Sequence, residues 1–238
     1  MKIKTLFVML FMAFLWAANS FGAPADLNKY HYQGIGKIPG QPIDSWVDFL
    51  FDDTDIEINV SDTYNFAASY KATKVGDKIT ISLKAPGCPA TTLTSTDGGS
   101  TLTGKLALYG QTLDLWLLKV PRLKPAAIPA SELEGVIGSE DGYTAFVLIG
   151  LADGKTMCAT SDFLFNPADK SFKMTCDSPS LQKIFSTMQG TYSVQGSDVV
   201  LTDSTGKTVK GTAYDDGYYI KVPLGSASGI TLTLVLIR

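Results

Sequence analysis

The sequence predicts an all-β protein of two tandem antiparallel meanders, each closing as a barrel or a sandwich. Three observations carry that reading. Apolar side chains recur at every second position along most of the chain, turn residues separate those runs, and a ladder of prolines divides the chain near its middle. Consecutive side chains of a strand take opposite faces, so strict alternation marks a strand with one dry face and one wet face.

The chain has 238 residues and opens with Lys2 and Lys4, an apolar run from Leu6 to Ala18, and then small residues. That order reads as a secretory signal peptide over residues 1–20, extending to 22 at most, and not as a membrane span. Cysteine is absent around the expected cleavage site, so lipid attachment is not expected there, and no later apolar run reaches spanning length. A secreted or periplasmic protein follows. The full chain carries a net charge of −3, and removal of Lys2 and Lys4 makes it more acidic. Mild acidity argues against nucleic acid or an anionic membrane as the main partner.

Alternation then appears run by run. In Asp53–Val60, the side chains of Ile56, Ile58 and Val60 face inward while Asp55, Glu57 and Asn59 face water; in Asp77–Lys84, Ile79, Ile81 and Leu83 oppose Thr80, Ser82 and Lys84. Thr208–Tyr214, Tyr218–Val222 and Ile230–Ile237 continue the pattern. Turns at Val75-Gly76-Asp77, Asp97-Gly98-Gly99 and Asp215-Asp216-Gly217 supply residues that tolerate positive φ. Leu113–Val120 and Ile230–Ile237 are apolar on nearly both faces, which predicts central or covered strands. One helix is expected near 180–188, where Leu181, Ile184, Phe185 and Met188 recur at helical spacing between Ser178-Pro179 and Gly190.

Pro121, Pro125 and Pro129 stand four residues apart and exclude a central strand or a helix interior. Residues 121–130 therefore read as a linker between a first meander domain at 27–120 and a second at 131–238. Counting runs gives roughly seven to nine strands in each. Val47–Asp62 aligns with Val147–Asp162, TLTGKLALYGQTLDL from Thr101 aligns with TVKGTAYDDGYYIKV from Thr208, and GDKITISL and GSDVVLT fall between. Two readings fit: an internal duplication, or unrelated meanders in step by chance. The common order of the matches favours duplication.

Short strands at regular spacing with tight turns are the pattern of up-and-down barrels. The stretch GTYSVQGSDVVLTDSTGKTVKG from Gly190 resembles the lipocalin-like (calycin) meander barrels of secreted bacterial proteins. The resemblance implies a closed barrel and carries no functional residue across. The chain has no Gly-x-Trp at a first strand; Trp46 comes later, in SWVDFLF. An outer-membrane barrel would need strands of about ten residues with apolar outer faces, whereas most runs here are shorter and carry Lys, Asp and Thr outside.

Few residues suggest chemistry. In an oxidising compartment, Cys158 and Cys176 flank a hairpin centred on Asn166-Pro167-Ala168-Asp169 and are expected to bond, a cross-link contributing about 3 kcal/mol. Cys88 is then an odd cysteine in a Pro-Gly loop. His31 is the one histidine and is expected to face solvent; no Gly-x-Ser-x-Gly and no zinc-type cluster accompanies it. Asp52, Asp53, Asp55 and Glu57 fail the calcium-loop pattern because Ile58 stands where glycine is required. No cofactor and no metal site is expected. A glycosidase needs two carboxylates, and composition alone does not exclude one. The aromatics Trp46, Trp116, Tyr218 and Tyr219 are the candidate ligand-binding residues, combining apolar area with a polar handle. Core packing is the competing reading for Trp116, and Tyr218 and Tyr219 point to opposite faces.

The functional expectation is a non-enzymatic binding protein for a small apolar ligand in a barrel mouth, or for another protein or glycan met across a sheet face. A structural or interaction protein with filled interiors is the alternative, and a small carboxylate-dependent hydrolase is third.

Overall fold

An alternating strand has one face to bury and two rows of backbone groups to pair. The chain meets both demands by folding each run back on the one before it. The computed structural model describes residues 23–41, 43–108, 110–120, 123–139, 142–175 and 188–238. In chain order the elements are β1 (Ala23–Pro24), β2 (His31–Lys37), β3 (Asp44–Asp52), β4 (Asp55–Val60), β5 (Tyr64–Val75), β6 (Lys78–Lys84), β7 (Thr91–Ser95), β8 (Thr101–Leu108), β9 (Gln111–Val120), helix α1 (Ala130–Ile137), β10 (Tyr143–Gly150), β11 (Thr156–Asn166), β12 (Ser171–Thr175), β13 (Met188–Gln195), β14 (Asp198–Asp203), β15 (Thr208–Tyr214), β16 (Tyr219–Ala227) and β17 (Ile230–Ile237).

Each strand from β2 to β9 pairs antiparallel with its successor, and β9 returns to β2 from His31↔Val120 to Lys37↔Asp114. The strands β10 to β17 do the same, with β17 returning to β10 from Thr144↔Ile237 to Gly150↔Thr231. The result is two closed eight-stranded meander barrels, and closure leaves neither with a free edge. The all-β reading holds.

Eight strands enclose a space that side chains can fill. In the first barrel Phe49, Phe51, Ile58, Ile81, Leu93, Leu102 and Leu117 fill it. In the second, Phe163 stacks on Phe172 at 5.3 Å in a core shared with Met174, Leu201 and Leu236. Each barrel is sealed where its first strand begins. The segment before β2 folds Leu27 into the first core, held by Lys29 N–H to Phe51 O at 2.8 Å and Phe51 N–H to Tyr30 O at 2.8 Å. Helix α1 seals the second barrel with Leu133 and Ile137, both fully buried.

The same latch recurs at both sealed ends. Tyr32 Oη donates to Gly99 O at 2.7 Å, and Tyr143 Oη donates to Gly217 O at 2.6 Å. Both tyrosines lie in the first strand of a barrel, and both glycines precede the seventh strand by two residues. Gly99 and Gly217 have φ of 99° and 91°, a region open chiefly to glycine. Burial raises the Tyr32 and Tyr143 phenols well above their ordinary range, keeping both as donors.

The barrels meet along a dry seam. It gathers Ile35, Trp46, Val120, Phe146, Cys158, Tyr219, Val235 and Ile237 from the outer faces of both. Trp46 meets the Phe146 ring edge-on at 5.4 Å, and Trp116 tilts against it at 6.0 Å. This explains why β9 and β17 are apolar on both faces: Leu115, Leu117, Leu234 and Leu236 point into the barrels, while Trp116, Leu118, Val235 and Ile237 point into the seam. A short ladder, Met157↔Ser45 and Cys158↔Asp44, joins β11 to β3.

The structure bears on four of the sequence expectations. The helix expected near 180–188 falls mostly outside the described residues, Met188 is already in β13, and the described helix is α1. The stretch expected as a linker is pinned to the second barrel: Ala126 N–H donates to Ala213 O at 3.0 Å, Asp215 N–H donates to Lys124 O at 2.8 Å, and Pro129 leads straight into α1. The repeat alignment is one strand out of step in two places, since Val47–Asp62 covers β3–β4 but Val147–Asp162 covers β10–β11, and the matches from Thr101 and Thr208 compare β8–β9 with β15–β16. GDKITISL and GSDVVLT do occupy equivalent strands, β6 and β14. Finally, Cys158 is a free, fully buried thiol and not half of a disulfide. Cys176 itself lies outside the described residues.

Candidate functional site

The unsealed ends of the barrels carry the open concavities. In the first barrel, the start of β5, the β6–β7 loop and the β8–β9 hairpin surround a cavity of about 700 Å³. Phe66, Pro86, Cys88, Pro89, Ala107 and Leu108 line it. The chain shapes this mouth with residues of restricted or permissive backbone: Pro86 and Pro89 stiffen the loop, and Gly87 turns it at φ 72° while Cys88 N–H donates to Ala85 O at 3.3 Å. Of the lining residues, Leu108 is buried and Cys88 is half-buried.

The second barrel has a smaller concavity of about 440 Å³ at the corresponding end. Ile149, Leu224, Ala227, Ile230 and Leu232 line it, with Lys207 beside them. Its walls come from the β14–β15 and β16–β17 hairpins, which correspond in strand order to the β6–β7 and β8–β9 connections of the first mouth. The two mouths are therefore topological counterparts. The second is the shallower in volume and exposes Ile230 at 42%.

The aromatics singled out from the sequence lie elsewhere. Trp46 and Tyr219 are buried in the seam, and Trp116 and Tyr218 pack against the same cluster. Burial first, then the nearby Asp48 charge, raises the Tyr219 phenol well above its ordinary range. The structure brings these four residues together, but as the packing between barrels and not at either mouth. The mouth residues escaped sequence reasoning because loop prolines, glycines and alanines carry no chemical signature.

His31 also departs from expectation. Its side chain is 20% exposed, and Nε2 lies 2.5 Å from Asp48 Oδ1. Gln33 and Asp48 are opposite each other in the β2–β3 ladder, and Gln33 Nε2 donates to Asp48 Oδ2 at 3.0 Å. The acidic stretch around β3–β4 keeps Asp52, Asp53, Asp55 and Glu57 exposed. Among the described residues no three His, Cys, Asp or Glu side chains group to hold a metal, and no helix is long and apolar enough to cross a membrane.

Compared with known proteins, the chain matches no family model, no curated protein and no solved structure.

Proposed function

We propose that this is a secreted or periplasmic, non-enzymatic binding protein whose ligand is a small apolar molecule seated in the mouth of the first barrel. The observation that carries this reading is the contrast between the two ends of that barrel. One is sealed by Leu27 and the Tyr32 latch, and the other holds a cavity of about 700 Å³ walled by Phe66, Pro86, Pro89, Ala107 and Leu108. Ligand sites of small molecules commonly occupy 300–1,000 Å³ with mainly apolar walls, and barrel mouths are among their usual places. The closed eight-stranded meander resembles the calycin barrels in form, which suits the same kind of occupant.

Pro86 and Pro89 reduce the freedom that the β6–β7 loop would lose on closing over a ligand, so the mouth is partly organised in advance. The amino-terminal apolar run supports export. A second reading, a surface or interaction protein without a ligand, draws on the packed interiors of both barrels, which leave the mouth and not the core as the place for an occupant.

A titration with the apolar fluorophore anilinonaphthalene sulfonate separates the two readings. Saturable binding to the native chain, lost when Ala107→Trp fills the cavity while near-ultraviolet circular dichroism is unchanged, supports the ligand reading. Absence of saturable binding, or binding indifferent to Ala107→Trp, favours the protein without a ligand.

A further inference from the structure

On one flank of the seam, the outer walls of the two barrels part to leave a polar groove of about 340 Å³. The first barrel contributes Gln33, Asp48 and Asp62; the second contributes Thr156, Lys221 and Thr233. We propose that this groove is a second binding site, separate from the barrel mouths, for a hydroxyl-rich ligand of the size of a simple sugar.

Three observations point to a ligand and to its chemistry. The first is Gln33. The residue is only 7% exposed, its Nε2 donates to Asp48 at 3.0 Å, and its Oε1 has no hydrogen-bond partner among the described residues. A buried amide oxygen is an acceptor that requires a donor, so the matching group must bring an O–H or N–H.

The second is the mixture of groups around it. Asp48 accepts from His31 and Gln33, and Asp62 accepts from the Thr156 hydroxyl, so each carboxylate is already held in place by donors. Held carboxylates retain lone pairs for further donors, Lys221 offers only donors, and threonine hydroxyls both give and take. A ligand of hydroxyl groups, each at once a donor and an acceptor, satisfies all of them. An inorganic anion would face two carboxylates, and an apolar molecule would leave the whole set unpaired.

The third is position. The groove's two walls belong to different barrels, yet they are tied together beneath it: Thr156 N–H donates to Ser61 O at 2.9 Å, Ser61 N–H donates to Trp46 O at 2.8 Å, and the β3–β11 ladder runs alongside. Trp46 and Tyr219 stiffen the floor from the seam. The polar groups are thereby fixed in relation to one another before any ligand arrives, which lowers the cost of binding.

The test is a titration of the full ¹⁵N-labelled chain with glucose, galactose, mannose and N-acetylglucosamine, followed by amide chemical shifts. Saturable changes are expected at the Gln33 side-chain amide and at the Lys221 and Thr233 backbone amides, with none at Leu108 in the first mouth. Lys221→Ala and Thr233→Val, both on the outer face of a strand, are each expected to weaken the sugar tenfold or more with the thermal midpoint unchanged. Three results overturn the assignment: no saturable change with any of the four sugars, changes that persist undiminished in the Lys221→Ala/Thr233→Val double variant, or saturation of the groove by ethylamine alone. Because the sugar signals and the fluorophore site lie on different residues, failure here is distinguishable from failure of the mouth as a ligand site.

Discussion

Phe146→Ala is the sharpest perturbation of the seam. Phe146 is fully buried, and both Trp46 and Trp116 rest on its ring at 5.4 and 6.0 Å. Truncating a buried phenylalanine to alanine costs about 3–5 kcal/mol, and each aromatic pair contributes about 0.5–1.5 kcal/mol beyond its area. Loss of both pairs places this site near the middle of that range, at about 4 kcal/mol, or roughly a thousandfold in the equilibrium that holds the barrels together. Of the three tryptophans, Trp46 and Trp116 belong to the seam, and Trp16 falls in the expected signal segment outside the described residues, so fluorescence of a chain begun at residue 23 reports on the seam. Urea unfolding of the parent is expected to give coincident transitions by fluorescence and by far-ultraviolet circular dichroism. In Phe146→Ala the fluorescence transition moves to lower urea and separates from the sheet signal, because the seam opens before the barrels do. Coincident transitions in the variant, with a loss below about 1 kcal/mol, would show that the seam does not couple the barrels.

Other consequences follow from single groups. Tyr32→Phe and Tyr143→Phe each leave a glycine carbonyl without its donor, and each is expected to cost about 1 kcal/mol in denaturant unfolding; equal losses at the two sites would match the equivalence of the latches. At Asp97, burial pushes the carboxyl up, but hydrogen bonds from Ser95 Oγ at 2.6 Å and Thr101 N–H at 3.0 Å outweigh it and bring the group down to about 2 from 3.8. A depressed folded value means that its contribution is present above the unfolded value and is lost as pH falls from about 4 through about 2, so the thermal midpoint drops over that window and Asp97→Asn flattens the drop. Burial, and next the Asp44 charge, raises the Cys158 thiol well above its ordinary range, so iodoacetamide labels Cys88 in the native chain and Cys158 only on unfolding; native labelling of Cys158 by mass spectrometry refutes its placement.

What the sequence made legible was whatever depended on two-residue periodicity. Ile56, Ile58 and Val60 all point inward, as their spacing requires, and the doubly apolar β9 and β17 are covered strands. The covering agent was not legible, because nothing in LDLWLLKV says whether Trp116 meets a second sheet, a helix or another barrel. Helix α1 did leave a signal: Leu133 and Ile137 are four apart, Glu132 sits in the first turn, and a proline stands just before it. The proline ladder masked it, since the residues that exclude a helix interior also serve as a helix start. The hairpin at Asn166-Pro167 fixed where the chain reverses, but register, which a turn alone does not give, decides which residues of β11 and β12 face each other. The groove was invisible for a related reason. His31, Gln33 and Asp48 are ordinary strand residues until the ladder sets Gln33 against Asp48 and the second barrel covers them.

The seam has a further logic in its symmetry. Its walls come from the first, second and last strands of each barrel, with β16 added on one side. The ladder that crosses it pairs the second strand of one barrel with the second strand of the other, antiparallel, and such a pairing is what a two-fold axis produces. The arrangement of strands is that of an isologous dimer interface, here with both halves in one chain. The tether then supplies the effective concentration that two separate chains would lack. An isolated first half, residues 23–120, would expose Ile35, Trp46, Trp116 and Leu118 together, an apolar stripe that a monomer does not leave in water. That fragment is expected to pair with itself through β3 against β3, with a mass in sedimentation equilibrium twice that of the single chain. A folded fragment that stays monomeric would mean that the stripe is matched to the second barrel alone, and that the two-fold relation is one of backbone topology without complementary surfaces.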